Sequence, residues 1–232
     1  MLARALLIAA LAMPATAQAA ERRIDLSSFD KLRVEGPFIV TLTTASSPHA
    51  RMSGDAETLR QVEAQITGAT LVVRRTGDRG AGRTGNMRGP ITLTIAAPPL
   101  SAITVIGGAQ VTAQAMRGPQ MSLAVNGAGD VRIDRADGEQ LAATLLGSGR
   151  LAIGGGRVGK ARLTASGPAT IMADGLEAGD LLVVLDGPGE VDARARYTAT
   201  IGNNGLGRVT VAGMPKCRMT GTGGGPVRCG AK

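Results

Sequence analysis

The side chains able to do chemistry in this chain are few and scattered. Its single histidine, His49, stands in Ser46-Ser47-Pro48-His49. A hydroxyl beside an imidazole base is the minimum for nucleophilic catalysis. Residues two and three apart in a turn-like tetrapeptide say nothing about mutual geometry, however, and an exposed loop histidine accounts for His49 more simply. Asp130, Asp134, Asp137, Asp174, Asp180, Asp186 and Asp192 offer many carboxylate pairs. Glycoside hydrolysis needs two such groups at a set separation. Spacing singles out no pair, and turn or outer-strand positions explain all seven. Asn126-Gly127-Ala128-Gly129-Asp130 has the look of a glycine-rich calcium repeat, but that repeat needs its acid to recur at a short fixed period. Gln110, Arg150, Thr170, Glu190, Arg208 and Pro226 fill the equivalent of Asp130, so no calcium column is expected. One His and two Cys do not make a zinc site. The expectation is no catalytic residue, no metal and no cofactor.

Two further groups could bind or brace rather than react. Cys217 and Cys229 are the only cysteines, and no close-set Cys-x-x-Cys exists, so a redox couple is not expected. In an oxidising compartment they predict a disulfide. Arg74, Arg75, Arg79, Arg83 and Arg88 crowd a glycine-rich stretch in which Asp78 is the only acid. Composition marks the stretch as a loop. It could contact a polyanion such as lipopolysaccharide, teichoic acid or nucleic acid, although a solvated insertion is the simpler reading. The formal charge of +8 speaks only to nonspecific attraction. Nucleic acid is not expected as a partner, because stacking on bases wants aromatic side chains and the chain has no Trp, one Tyr and two Phe.

The elements that position these groups come from a repeat. Gly107-Gly108-Ala109, Gly127-Ala128-Gly129, Gly147-Ser148-Gly149, Gly167-Pro168-Ala169, Gly187-Pro188-Gly189, Gly205-Leu206-Gly207 and Gly223-Gly224-Gly225 step by 20, 20, 20, 20, 18 and 18 residues. Four residues after each first glycine stand Val111, Val131, Leu151, Ile171, Val191, Val209 and Val227, all aliphatic. Two further on stand Ala113, Ile133, Ile153, Ala173, Ala193, Val211 and Cys229; four before stand Ile103, Leu123, Ala143, Leu163, Val183, Ile201 and Met219. Spacing by two is strand periodicity with one face inward. One unit cannot bury its apolar face alone, whereas stacked units bury a continuous interior. The predicted fold is an all-β, single-stranded parallel β-helix with coils of about 18–20 residues, right-handed because parallel crossovers favour that hand. Cys217 and Cys229 fall on inward columns of the last coil, where a bridge would brace an open end.

The N-terminal part follows the repeat less closely. Met1 to Ala19 reads as a secretory signal: Arg4, an apolar run from Ala5 to Met13, then Ala17-Gln18-Ala19. The run is too short to span a bilayer. Its removal takes away only Arg4, so the charge falls from +8 to +7. No second membrane-spanning stretch is expected, and the mature chain is placed in the periplasm, at the cell surface or outside. Residues 20–100 read as irregular first coils and a cap, and 101–232 as regular coils. Within the former, 38–42, 70–73 and 91–95 read as strands, and 55–66 as a short helix with Leu59, Val62 and Ile66 on one face.

Phe29-Asp30-Lys31-Leu32-Arg33-Val34-Glu35-Gly36-Pro37-Phe38-Ile39-Val40-Thr41-Leu42, Ile91-Thr92-Leu93-Thr94-Ile95-Ala96-Ala97-Pro98-Pro99-Leu100 and the serial glycine corners together resemble the auto-transporter adhesin head, or GIN, domain family. The resemblance covers roughly residues 29–215. It implies an exported β-helical protein with an adhesin-like role and supplies no catalytic residues. The chain departs from the family in lacking its Ser-Gly-rich corners and any C-terminal translocator barrel, which favours the periplasm. The function expected is a non-enzymatic binding or scaffold module of the envelope. Its partner would be a polyanion or another protein, with self-association through solenoid faces or ends as a further option. The alternative is a polysaccharide-active enzyme on the same scaffold.

Overall fold

The computed structural model describes residues 20–76 and 90–231. The expected signal at 1–19, and Arg79, Arg83 and Arg88, lie outside these. The first half contributes β1 (Ala20–Asp25), β2 (Lys31–Glu35), β3 (Phe38–Thr44), β4 (His49–Gly54), α1 (Ala56–Arg60), β5 (Val62–Thr67), β6 (Thr70–Arg75) and β7 (Ile91–Ala97). The second contributes β8 (Ala102–Gly107), β9 (Gln110–Gly127), β10 (Asp130–Gly147), β11 (Arg150–Ile153), β12 (Gly156–Ser166), β13 (Thr170–Asp186), β14 (Glu190–Asn203), β15 (Arg208–Gly213), β16 (Lys216–Met219) and β17 (Val227–Ala231). From β8 onward every pairing is parallel. The chain is a parallel β-solenoid, as its glycine corners and aliphatic columns predict.

Each coil has three sides rather than two strands and a corner. Along β9 the buried positions run Val111, Ala113, then Met116, then Met121, Leu123 and Val125. Spacing by two holds within a side and slips at each bend. The first side, 110–113, and the last, 120–126, are the extended segments the sequence reveals. The third side between them carries Met116, Ala136 and Leu176 inward and escapes a search keyed to the glycine. Partners in β9 and β10 stand 20 residues apart throughout, from Gln110 and Asp130 to Gly127 and Gly147. Like therefore stacks on like. An aliphatic interior of this kind is dry and close-packed, which is where most of the stabilisation arises.

Glycine is needed at the corner. Gly147 has φ +115, outside the range of L side chains, and a Cβ there would lie 2.6 Å from the carbonyl oxygen of Gly127 in the coil below. At Gly205 the positive φ is gone and the coil is shorter. There Asn203, buried in a column otherwise held by Val125, Leu145, Ala165 and Leu185, donates from Nδ2 to the Gly207 carbonyl at 2.8 Å and accepts from the Gly205 N–H at 3.3 Å.

Spatial order departs from chain order at the N-terminal end. The strands β2 and β3 pair in parallel with β8 and β9 on one side, and with β6 and β7 on the other. The coil formed by β6 and β7 thus lies outside the coil that precedes it in sequence. Antiparallel strands then cover the edge: β4 on β7, β1 on β4 and β5 on β6, a common way to block edge-to-edge association.

The helix predicted over 55–66 is a correction. Only Ala56–Arg60 is helical, capped by the Asp55 carboxylate, which accepts from the Thr58 N–H at 3.0 Å. Leu59, Val62 and Ile66 fit a helical face, but Val62, Ala64 and Ile66 also alternate. The turn at Gly68, φ +61, folds β5 back along β6 and decides for strand. Among the described residues no helix is long and apolar enough to cross a membrane.

Candidate binding groove

Because side chains alternate along a strand, the last side of each coil turns Leu141, Ala143 and Leu145 inward and Gln140, Ala142 and Thr144 outward. Stacking aligns the outward residues of successive coils into rows. One row is Gln120, Gln140, Lys160, Asp180 and Thr198; its neighbour is Lys31, Ala102, Ser122, Ala142, Arg162, Leu182 and Thr200 as β2 and β8 join the same side. A groove of about 870 Å³ follows these rows across the strands. From β2 to β14 it crosses six interstrand steps of ~4.8 Å, roughly 29 Å in all. Ala102, Ser122 and Ala142 keep its floor low beside the longer Gln120, Gln140 and Lys160.

More of the lining is apolar than polar, from residues such as Met121, Leu141, Leu181 and Leu182, with cations and hydrogen-bonding groups spread along it. Lys31, Lys160 and Arg162 make no side-chain ion pair or hydrogen bond with the described residues, whereas Arg132 pairs with Asp134 at 3.5 Å, Arg157 with Glu177 at 3.1 Å, and Arg208 with Glu190. Asp180 is the groove's only carboxylate and accepts from the Thr198 hydroxyl at 2.6 Å. Carboxamides and hydroxyls supply further donors and acceptors along the length. Such a surface can hold an extended, hydrogen-bonding, negatively charged chain.

The seven aspartates do not converge. Asp130 and Asp192 stand on outward positions of the first side, Asp134 and Asp174 at the bend that ends it, Asp137 on the third side, Asp180 in the groove and Asp186 near the glycine corner, where Asn204 donates to it at 2.7 Å. Asp137 is held below the ordinary carboxylate value, chiefly by the Arg135 guanidinium at 2.6 Å and further by the Arg157 N–H. A general acid needs the opposite shift. No group of three His, Cys, Asp or Glu that could hold a metal ion occurs among the described residues.

His49 begins β4 rather than sitting in a loop, because that segment is drawn into the antiparallel cap between Asp25 and Ala96. It is half-buried, with Nδ1 3.2 Å from the Ser47 carbonyl oxygen, and neither serine hydroxyl bonds to it. Arg74 and Arg75 lie in β6 and are both engaged, Arg74 with Glu63 at 2.9 Å and Arg75 with the Gln61 side chain at 2.9 Å. Cys217 and Cys229 form a disulfide. Both occupy inward columns, above Ala199 and Val211, yet Cys217 is exposed and Cys229 half-buried because no described coil stacks on theirs. Sequence reasoning keyed to inward columns missed Lys31, Lys160 and Arg162. The outward row Gln120, Gln140, Lys160, at the same step of 20, was the available signal.

The family model described as "Putative auto-transporter adhesin, head GIN domain" matches residues 28–215. Among curated proteins no relative matches. Solved structures similar in fold include a "putative adhesin" from Bacteroides fragilis, 18% identical over 92% of this chain and 97% of that one, TM-score 0.83. A "putative adhesin" from Parabacteroides merdae is 16% identical over 91% and 95%, TM-score 0.71. A "Putative lipid binding protein" from Parabacteroides distasonis is 15% identical over 90% and 96%, TM-score 0.63.

Proposed function

The chain belongs to the auto-transporter adhesin head GIN domain family, and we propose that it is an exported, non-enzymatic, adhesin-like module that grips an extended anionic polymer of the cell envelope along the groove. The observation that carries this reading is the set of uncommitted cations, Lys31, Lys160 and Arg162, spread along one groove that crosses six interstrand steps. A chain laid along the solenoid axis meets outward side chains of every coil, so affinity accumulates over many weak contacts. Export fits the sequence of residues 1–19, with the periplasm or cell surface as destination. The arginine-rich segment 74–89 is a second candidate contact, weakened by the engagement of Arg74 and Arg75 within the fold.

The test is binding of the mature protein to polygalacturonate and to neutral dextran, titrated with salt. A Lys160→Ser/Arg162→Ser variant is compared with one carrying Ser at Arg74, Arg75, Arg79, Arg83 and Arg88. Polygalacturonate binding that weakens with salt and is reduced in the first variant supports the groove. Loss only in the second moves the site to the arginine-rich segment. Equal binding of dextran, or indifference to both changes, overturns the reading.

A further inference from the structure

At the far end of the groove the coil changes length. Ala178 pairs with Ala195, and Asp180 with Thr198, so Arg196 and Tyr197 together stand opposite Gly179 alone. This is a β-bulge, a device that re-aims side chains. It turns out the chain's only tyrosine, which is 57% exposed. The ring rests beside a glycine shelf. A Cβ at Gly179 would lie 3.5 Å from Cδ2 of the ring and 2.6 Å from the carbonyl oxygen of Gly159 in the coil below. The Arg196 guanidinium carbon is 5.1 Å from the ring centroid. The next residue, Thr198, lines the groove and donates to Asp180, and Lys160 follows one strand further on.

An exposed aromatic plate would cost a soluble surface little as a single residue, but its placement is specific. It immediately precedes Thr198, whose hydroxyl donates to the Asp180 carboxylate at the end of the groove. A carboxylate at Asp180 would repel a chain that offers only negative charge and would accept hydrogen bonds from one that also carries hydroxyls. A pyranose ring has such hydroxyls at its edge and an apolar C–H face for the aromatic ring.

We infer that Tyr197 is a stacking subsite at the groove's end, and that the polymer the groove takes is an acidic polysaccharide. One pyranose lies against Tyr197, its hydroxyls reach Asp180 and Thr198, and carboxylates of the following units face Lys160 and Arg162. The inference rests on the groove reading and narrows it to one polymer class.

With no tryptophan and one tyrosine, the intrinsic fluorescence of the protein reports on this side chain alone. Polygalacturonate and poly-glutamate of matched charge are titrated against wild type, Tyr197→Ala, Tyr197→Phe and Lys160→Ser/Arg162→Ser. Polygalacturonate should alter tyrosine emission and bind wild type about tenfold tighter than poly-glutamate, and Tyr197→Ala should lose that preference. Tyr197→Phe should retain it by light scattering or calorimetry. Equal binding of the two polymers by wild type overturns the inference. So does undiminished polygalacturonate binding by Tyr197→Ala while Lys160→Ser/Arg162→Ser still loses it, and the groove reading then survives. No binding of either polymer removes both.

Discussion

Arg157 stands one coil above Asp137, and its backbone N–H donates to the Asp137 carboxylate across 3.1 Å. This contact belongs to a row on the third side in which charge alternates coil by coil: Arg117, Asp137, Arg157, Glu177, Arg194. Opposite charges neighbour each other at each step, and Arg157 pairs with Glu177 at 3.1 Å while its N–H holds Asp137, so a slipped register would lose both contacts.

Asp137 makes stability depend on acid. Asp137 titrates below its ordinary value of 3.8, mainly through Arg135. As pH falls, the unfolded chain takes up this proton first. The contribution is whole above the unfolded value and is lost as pH falls through the lower folded one. Melting temperature should drop as pH falls below about 4 in wild type and less steeply in Asp137→Asn. The difference at neutral pH should be small, under about 1 kcal/mol, because the pair is solvent-facing. Parallel melting curves across that range would count against the assignment.

The corner can be tested by contrast within one motif. Gly147→Val should cost about 1–3 kcal/mol, from φ +115 and the approach of its Cβ to the Gly127 carbonyl oxygen. A Cβ at Gly108 meets nothing within 4 Å, so Gly108→Val should leave thermal unfolding nearly unchanged. Equal melting temperatures for the two variants would remove the argument.

Asn203 is a buried polar residue in an aliphatic row. Asn203→Leu keeps the γ-branched shape, though at a larger volume, but leaves the Gly205 N–H and the Gly207 carbonyl without their side-chain partner. A loss of about 1–3 kcal/mol is expected, with faster amide exchange from 203 to 209. A neutral or stabilising outcome would mean that water replaces the amide.

The disulfide closes a short loop, with a sequence separation of 12 between Cys217 and Cys229. Cys217→Ser/Cys229→Ser should cost roughly 3 kcal/mol or less in the chain-entropy model. Hydrogen exchange should rise in β16 and β17 before any other strand. Uniform loosening of the whole solenoid would instead mean that the last coil is coupled to all the others.

The legible part of the fold is the part whose physical demands recur. Val111, Val131, Leu151, Ile171, Val191 and Val209 occupy one inward column because each coil must fill the same space, and a demand repeated at a fixed interval is visible in a single sequence. The third side was hidden because its column mixes Met116, Ala136, Gly156 and Leu176 at an offset broken by the bend. Nothing local could announce that β2 pairs with β6 rather than with its successor, since that choice is made by segments tens of residues apart. The groove residues were visible in principle, because Gln120, Gln140 and Lys160 share the step of 20; outward rows tolerate any polar residue, however, and so look unremarkable until stacked.

The N-terminal cap covers one end of the stack, and β3 is enclosed between β7 and β9. Growth is therefore open in one direction only. From β9 to β12 each coil is interchangeable with its neighbour, register for register. Deleting one 20-residue coil between β9 and β12 would remove one rung and shorten the groove by ~4.8 Å, with both flanking surfaces still matched. Reach along a polymer thus becomes a quantity that changes in whole increments, set by the number of repeats and independent of how any one repeat binds.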